Sequence, residues 1–520
     1  MATNFYLTTP IYYVNDKPHI GHAYTSIAAD VIARYHRTQG NNVMFLTGTD
    51  EHGQKIQKSA EANGLAPQEF VDFLAPKFKE LMEICNCTPN DFIRTTEKRH
   101  TSYVKSIWQK LEDSGQIYLG KYSGWYAVRD ECFYSEGDLV DSKAPTGAPV
   151  EWVEEDSYFF RLSAWQNKLL ELYENQPDFI APNVRRNEVI SFVKKGLTDL
   201  SISRTSFNWG IPVPSNGKHV IYVWIDALFN YISAIESIKV QNPTEQNQVA
   251  PNRAKEKSFW PADLHIIGKD ILIFHAVYWP ALLMALNLPL PKRIFAHGWW
   301  TNEGQKISKS LGNTIDPKEL VEEFGSDYVR YFMMKEISFG DDGNYSKSQL
   351  ISRVNSDLAN NIGNLAQRAA SFVYQYCDGT VAKNPQSKRP EEDQVLQSMV
   401  ESTIQKVESY MAKQKIHLAL NSIVELGAAA NVYMEQMAPW TLRKNQELTK
   451  MNDVLYNLLY TIRAIAFLLQ PFVPIGAIKI LDMLEVGSKG QNLTQELVLL
   501  FPERFMIQKQ PQAVFNRINI

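Results

Sequence analysis

Phe5-Tyr6-Leu7-Thr8-Thr9-Pro10-Ile11-Tyr12-Tyr13-Val14-Asn15-Asp16-Lys17-Pro18-His19-Ile20-Gly21-His22 begins in one periodicity and ends in another. Its β-branched and aromatic opening, Phe5 to Ile11, predicts a buried first strand. Asn15, Asp16 and Pro18 then interrupt the strand with loop chemistry. Downstream, Ile27, Ala28, Val31, Ile32 and Tyr35 recur at helical spacing, and Gly40 falls where a helix ends on a left-handed residue. His19 and His22 therefore sit where a strand hands over to a helix. At such a point free backbone N–H groups and the positive end of the helix dipole face outward, ready for a phosphate. Gly21 has no Cβ, so a nucleotide ring can approach the backbone there.

Outward from this stretch the chain alternates strand and helix as far as about Tyr118. Asn42 to Thr47 reads as a second apolar strand, with Asp50-Glu51-His52-Gly53 following its C-terminal end, the edge at which open α/β sheets bind ligands. The alternation predicts an α/β fold with a doubly wound parallel sheet. From Tyr118 to about Phe207 the texture changes: Tyr122, Trp125, Tyr126, Phe133 and Tyr134 mix with Gly and Asp, and Lys143 to Pro149 is a small-residue loop. This reads as an insertion of short strands and helices. Lys218 to Tyr231 is expected to resume the sheet, with a strand at His219 to Trp224 and a helix at Asp226 to Ile235. Asp263 to Gly268 and Arg293 to His297 read as the remaining sheet strands. Beyond Ser348 strand signals nearly vanish, and amphipathic helices broken at Gly379, Pro385, Pro390, Pro439 and Pro471 predict an all-helical bundle.

Composition narrows the class. The chain has 520 residues, enough for two to four domains, and its 44% hydrophobic and 21% charged content is that of a soluble globular protein. A net charge of −4 does not advertise a nucleic-acid binder, yet local charge decides that question: beyond Pro502, Arg504, Lys509 and Arg517 outweigh Glu503. Four cysteines in a chain this long point to a reducing compartment rather than a disulfide framework. No charged start followed by an apolar run marks a signal peptide. The apolar stretch Ile271 to Leu286 carries His275, Trp279 and Pro280 and reads as buried helix, so no membrane association is expected.

His19-Ile20-Gly21-His22 has a counterpart in Lys306-Ile307-Ser308-Lys309-Ser310. Either alone is a weak signal; in this order, after an N-terminal strand, chance supplies the pair in about one chain in a thousand or fewer. Together they resemble the two ATP-binding signatures of class I aminoacyl-tRNA synthetases. Forming an aminoacyl adenylate is attack of a carboxylate on the α-phosphate of ATP, a reaction governed by positioning and charge stabilisation. His19 and His22 suit hydrogen bonding to phosphate oxygens, and Lys306 and Lys309 suit neutralising the departing pyrophosphate. No general base is required, because a carboxylate is already an anion.

The resemblance sharpens to the methionyl-tRNA synthetases through Thr9-Pro10-Ile11-Tyr12-Tyr13, Thr49-Asp50-Glu51-His52-Gly53, Val223-Trp224-Ile225-Asp226-Ala227-Leu228, Gly268-Lys269-Asp270-Ile271 with Phe274-His275, and His297-Gly298-Trp299-Trp300. It covers essentially the whole chain. It implies a Rossmann-like catalytic domain in two halves, residues 1–117 and 208–300, around an inserted connective domain, 118–207. A lysine-loop region that contacts the tRNA stem, 301–350, and a helical anticodon-binding domain, 351–520, would follow. Within the family pattern His19, Gly21, His22, Asp270, Lys306, Ser308 and Lys309 would bind ATP, with Asp270 reaching the ribose. Asp50 would hold the substrate ammonium. Ile11, Tyr13, Trp224, Ala227, Leu228, Tyr231, Ile271, Phe274, His275 and Trp279 would line the thioether pocket, where aromatic walls suit a polarisable sulfur. Read without the family, Asp50 is equally a helix cap, Trp224 and Trp279 plain core, and His275 a satisfied buried histidine.

In the helical half, Asn360, Asn364 and Arg368 are four apart and predict one helix face suited to base edges, while Pro439-Trp440 offers a stacking platform. The resemblance makes these the readers of a CAU anticodon. Asp50-Glu51-His52, Cys85-Asn86-Cys87 and Cys132 invite a metal reading, but the insertion holds one cysteine where the family's zinc knuckle needs paired Cys-x-x-Cys motifs, so no structural zinc is expected. The cation expected is Mg²⁺, arriving with ATP. The partners implied are methionine, ATP and tRNA(Met), including the initiator, with the enzyme a cytoplasmic monomer. Two rivals remain: a class I synthetase for another apolar amino acid, for whose editing insertion 118–207 is too short, and a catalytically inactive tRNA-binding paralogue.

Overall fold

The computed structural model describes residues 3–130, 132–134, 136–241, 258–302, 304–306, 314–385, 390–484 and 502–519. No helix among them is long and apolar enough to cross a membrane. At its centre lies a seven-stranded sheet in which every pairing is parallel. Across it run Asp91–Arg94, Asn42–Asp50, Asn4–Thr8, Leu264–Gly268, Ile294–His297 and Ile180–Ala181, with Tyr12–Tyr13 continuing the line of Asn4–Thr8. Near-continuous apolar runs such as Val43-Met44-Phe45-Leu46 are what a sheet buried on both faces requires. Successive side chains alternate between two cores. Leu7, Val43, Phe45 and Phe295 join the cluster that continues into the helical bundle, whereas Tyr6, Met44, Leu46, Ile294 and Ala296 join the one beneath residues 221–283.

The first strand is shorter than the expected Phe5 to Ile11. It stops at Thr8, because Pro10 has no N–H to give the ladder, and pairing resumes at Tyr12–Tyr13 opposite Thr49 and Asp50. The strand expected at His219 to Trp224 is present as Asn216–Ile221, but it does not join the central sheet. It pairs antiparallel with Ser203–Arg204 and Pro212–Val213 in a separate sheet, and Trp224 belongs to the helix Val223–Leu228 that follows. One edge of the central sheet is instead Ile180–Ala181, a strand from within the inserted stretch. The rest of that stretch mixes the helices Gln166–Asn175 and Asn183–Lys194 with a four-stranded antiparallel sheet built around the long pairing of Ile117–Ala127 and Glu151–Phe160.

Trp300–Asn302 pairs with Gln305–Lys306 and, in parallel, with Gly343–Tyr345, which leads the chain off the sheet toward the bundle. The bundle is helical as expected, apart from the short ladder between Thr380–Ala382 and Arg504–Met506. Its central helix, Leu448–Leu469, is buried on nearly every face.

Candidate functional site

The helix Ile20–Thr38 begins beside the carboxyl ends of the central strands, and its N-terminus is closed by imidazoles. His19 is the N-cap: its Nδ1 accepts from the Gly21 N–H at 3.1 Å, while the Nδ1 of His22 accepts from the His19 N–H at 3.0 Å. This is a capping box in which histidines replace the usual hydroxyl and carboxylate. Its consequence is chemical. With Nδ1 of each ring used as an acceptor, the proton of each neutral ring resides on Nε2. Desolvation lowers both pKa values, His22 well below the ordinary range with the neighbouring His19 charge adding to the effect, while Asp270 partly opposes the shift at His19. At neutral pH the helix start thus presents two uncharged N–H donors, with ring centroids 3.8 Å apart, beside its free backbone amides. Gly21 is required by the cap itself: a Cβ there would stand 2.9 Å from His19 Cε1.

Asp270 acts electrostatically on His19, His275 and His297, which places it among them at the sheet edge, and its Oδ1 accepts from Trp299 Nε1 at 3.2 Å. Lys269 lies 4.2 Å over the Trp299 ring and bonds Asp342. Of the lysine motif, the Lys306 backbone pairs with Thr301; Ser308 and Lys309 lie outside the described residues.

Several of the residues expected around the amino-acid side chain touch one another. Trp224 stacks on Phe274 at 3.7 Å and 14°, with His275 edge-on to it. His275 Nδ1 donates to the Ile271 carbonyl at 3.0 Å, so its Nε2 accepts the Tyr231 hydroxyl at 2.7 Å. Asp50, buried, pairs in the ladder with Tyr13 and is near enough for its charge to act on Tyr231. Ile11, Tyr13, Trp224 and Ile271 are half-buried against the second core, with Ala227 and Leu228 buried on the helix that carries Trp224. Trp279 differs: it is fully buried among Phe229, Tyr231 and Trp260, and its Nε1 donates to His265 Nε2 at 3.4 Å.

Several residues at this site carry no role in the sequence reading. Glu51 accepts from Thr49, Arg94 and Thr96 at 2.6 Å each. His52 Nδ1 lies 2.6 Å from Asp226 Oδ2, and the other oxygen of Asp226 meets His100 Nε2 at 2.7 Å. The metal pattern in Asp50-Glu51-His52 is thus absorbed by protein partners at Glu51 and His52. The signal for Asp226 was its place between Trp224 and Ala227; its partner His100, far along the chain, gave none.

On the bundle, the Arg368 guanidinium lies 5.9 Å from the Trp440 ring and pairs with Glu435 at 2.6 Å. Both border a groove of about 350 Å³ shared with Gln367, Ser371, Phe372, Gln375 and Met434. Asn364 is exposed at the start of the same helix, Asn364–Tyr376. Asn360, also exposed, lies in the π-helical turns Val354–Gly363, so four-residue spacing does not align it with Asn364 as on a regular helix.

Comparison with known proteins sets these sites in context. The family model described as "tRNA synthetases class I (M)" matches residues 5–148 and 136–370, and the "Anticodon binding domain of methionyl tRNA ligase" matches residues 385–519. The methionine–tRNA ligase of Rickettsia felis is 56% identical over 507 residues, 96% of this chain and 95% of its own length. That of Rhizobium meliloti is 50% identical over 494 residues, 94% and 93% of the two. Among solved structures, Mycobacterium tuberculosis methionyl-tRNA synthetase in complex with methionyl-adenylate matches with a TM-score of 0.91 at 44% identity, covering 99% of this chain and 100% of the other. The apo form from the same organism matches with a TM-score of 0.86 at 41% identity, covering 100% and 99%.

Proposed function

The chain belongs to the methionyl-tRNA synthetases of class I, and we propose that it carries out its two tasks at separate places, activation at the carboxyl ends of the parallel strands and anticodon reading on the helical bundle. The overall reaction is that of an ATP-dependent methionine–tRNA ligase: methionine, ATP and tRNA give methionyl-tRNA, AMP and pyrophosphate. The observation that carries the site assignment is the reciprocal imidazole cap. Two neutral Nε2–H donors and the amides of a helix start converge where triphosphate oxygens would lie.

In this reading the methionine carboxylate attacks the α-phosphorus and the bond to the pyrophosphate oxygen breaks, with no proton to move. His19 and His22 donate to phosphate oxygens, and their neutrality keeps donation independent of pH above the ordinary imidazole range. Lys306 and Lys309 offset charge on the leaving pyrophosphate, Ser308 binds ATP beside them in the motif, and Asp270 bonds the ribose. Asp50 pairs with the ammonium. Trp224, Phe274, Tyr231 and His275 enclose the thioether with Ile11, Tyr13, Ala227, Leu228 and Ile271, and Trp279 supports Tyr231 from behind. Mg²⁺ would arrive on ATP and help to neutralise its phosphates.

Residues 1–117 and 208–300 would form the catalytic unit, 118–207 the connective insertion, 301–350 the lysine-loop and stem-contact region, and 351–520 the anticodon-binding unit. Asn360, Asn364, Arg368 and Trp440 would read the anticodon. The exposed Arg368–Glu435 pair is worth only about 0–1 kcal/mol, so Arg368 exchanges partners cheaply when RNA docks. A CAU reader accepts initiator and elongator tRNA alike. The enzyme would act as a monomer, and free Cys85, Cys87 and Cys377 suit the cytoplasm. No structural zinc is expected: the insertion offers one cysteine, and burial pushes the Cys85 thiol up to about 12, against the thiolate a zinc site needs.

The experiment is pyrophosphate exchange run with each proteinogenic amino acid in turn. Exchange should depend on methionine, and Lys309→Ala should abolish most of it while leaving methionine binding nearly intact. Near-normal exchange in that variant would remove the lysine loop from the mechanism.

A further inference from the structure

The carboxylate of Asp226 is fully buried, yet it serves none of the roles assigned above. Its oxygens are divided between two imidazoles, His52 Nδ1 at 2.6 Å and His100 Nε2 at 2.7 Å, and His100 Nδ1 continues to Ser233 Oγ at 2.8 Å. A carboxylate only accepts, so the bonds place a proton on Nδ1 of His52 and on Nε2 of His100. Burying such a charge is expensive and a well-packed apolar group would cost less, so its value lies in fixing geometry.

What it fixes is specific. Asp226 lies on the helix Val223–Leu228, two residues from Trp224 and next to Ala227. His52 is two residues beyond Asp50, its carbonyl accepts the Tyr13 hydroxyl at 3.2 Å, and its ring packs edge-on to Trp209 at 5.3 Å. Trp209 in turn donates from Nε1 to the Glu51 carbonyl at 2.6 Å. A single hydrogen bond, His52 to Asp226, therefore joins the strand end that carries Asp50 and holds Tyr13 to the helix that carries Trp224.

We propose that Asp226 is a positioning residue for methionine binding, clamping through His52 the ammonium-binding end of the site to its thioether-binding wall. The proposal rests on the methionine-pocket reading of Asp50, Tyr13 and Trp224. Such a clamp sets how well ground and transition states are both held, so its loss should raise the methionine KM while sparing kcat and the ATP KM.

The test is pyrophosphate exchange with the full-length chain carrying D226N, H52A, H52N or W224A. D226N and H52A should raise the methionine KM about tenfold or more, with kcat and ATP KM within about twofold. H52N, whose side-chain amide replaces the Nδ1 donor, should recover most of the loss in H52A. If D226N does not fold, the H52A and H52N pair decides alone, and equal methionine KM values in the two overturn the clamp. A raised KM in W224A with normal values in D226N and H52A overturns the clamp and spares the pocket. An unchanged methionine KM in W224A overturns the pocket reading and the clamp with it. Parallel losses in kcat, ATP KM and methionine KM, with no recovery in H52N, reduce Asp226 to a fold-supporting residue and also overturn the proposal.

Discussion

His275 takes the Tyr231 hydroxyl on one ring nitrogen and gives the other to the Ile271 carbonyl, so it is held neutral by its bonds as well as by burial. Desolvation lowers its pKa to about 4, with the Ile271 bond and the Asp270 charge opposing the shift. A depressed pKa means that the unfolded chain takes up the proton first. The contribution of His275 to stability is therefore complete above about 6.5 and is lost as the pH falls from there toward about 4. By about pH 5 the loss from this one side chain amounts to about 2 kcal/mol. His19, His22, His36, His265 and His297 are shifted in the same direction, so the whole chain should lose stability over this window. Chemical denaturation near pH 7 and near pH 5 checks this: His275→Gln should narrow the gap between the two conditions by about 2 kcal/mol. An unchanged gap would mean that His275 is not the neutral acceptor of the Tyr231 hydroxyl.

The start of the helix Ile20–Thr38 depends on one missing atom. A Cβ at Gly21 would press on His19 Cε1 at 2.9 Å and Nδ1 at 3.1 Å, so Gly21→Ala should swing the His19 ring out of its cap. In exchange assays the variant should lose about tenfold or more in kcat/KM for ATP, since it misplaces the donor proposed to bond the reacting phosphates. Its methionine KM should hardly change, and wild-type ATP kinetics would show that the cap is dispensable. This element was legible in the sequence because its information is local: loop residues, two histidines, an apolar stripe and a terminal Gly40, whose φ is +77°. The strand at Asn216–Ile221 was legible as a strand but not in its partners, because apolar alternation does not say which sheet accepts it. Ile180–Ala181, only two residues long, was too short for any periodicity, yet it completes the parallel sheet. The π-helical turns that offset Asn360 from Asn364, where Asn361 donates to the Val424 carbonyl across the bundle, leave no mark on sequence spacing. Among site residues, motif spacing singled out those proposed to face the ligands. It missed His100 and the clamp on His52, whose partners are remote in the chain.

At the scale of the whole molecule, one buried guanidinium ties the catalytic sheet to the bundle. Arg330 donates to the carbonyls of Pro471, Phe472, Cys85 and Asn86 and pairs with Asp30 of the helix Ile20–Thr38 at 2.8 Å. Burial raises the Asp30 pKa, but the charges of Arg330 and Arg34 outweigh it and hold the carboxyl below its usual value. Removing one member of a buried pair of this kind costs about 3–5 kcal/mol. Arg330→Met should therefore lower stability by about that amount and depress methionine activation and tRNA charging together, as denaturation and parallel assays would show. Trp440→Ala should do the opposite and separate the two activities. Trp440 is 40% exposed on the bundle and borders the groove it shares with Arg368, so its loss should leave the core intact. The decisive measurement is methionine-dependent pyrophosphate exchange and tRNA charging assayed side by side in Trp440→Ala. The predicted result is unchanged exchange with charging reduced about five- to 150-fold, the value of one base–aromatic stack. Loss of exchange and charging together, with a fall in thermal stability, would contradict the division of labour and make Trp440 a structural residue.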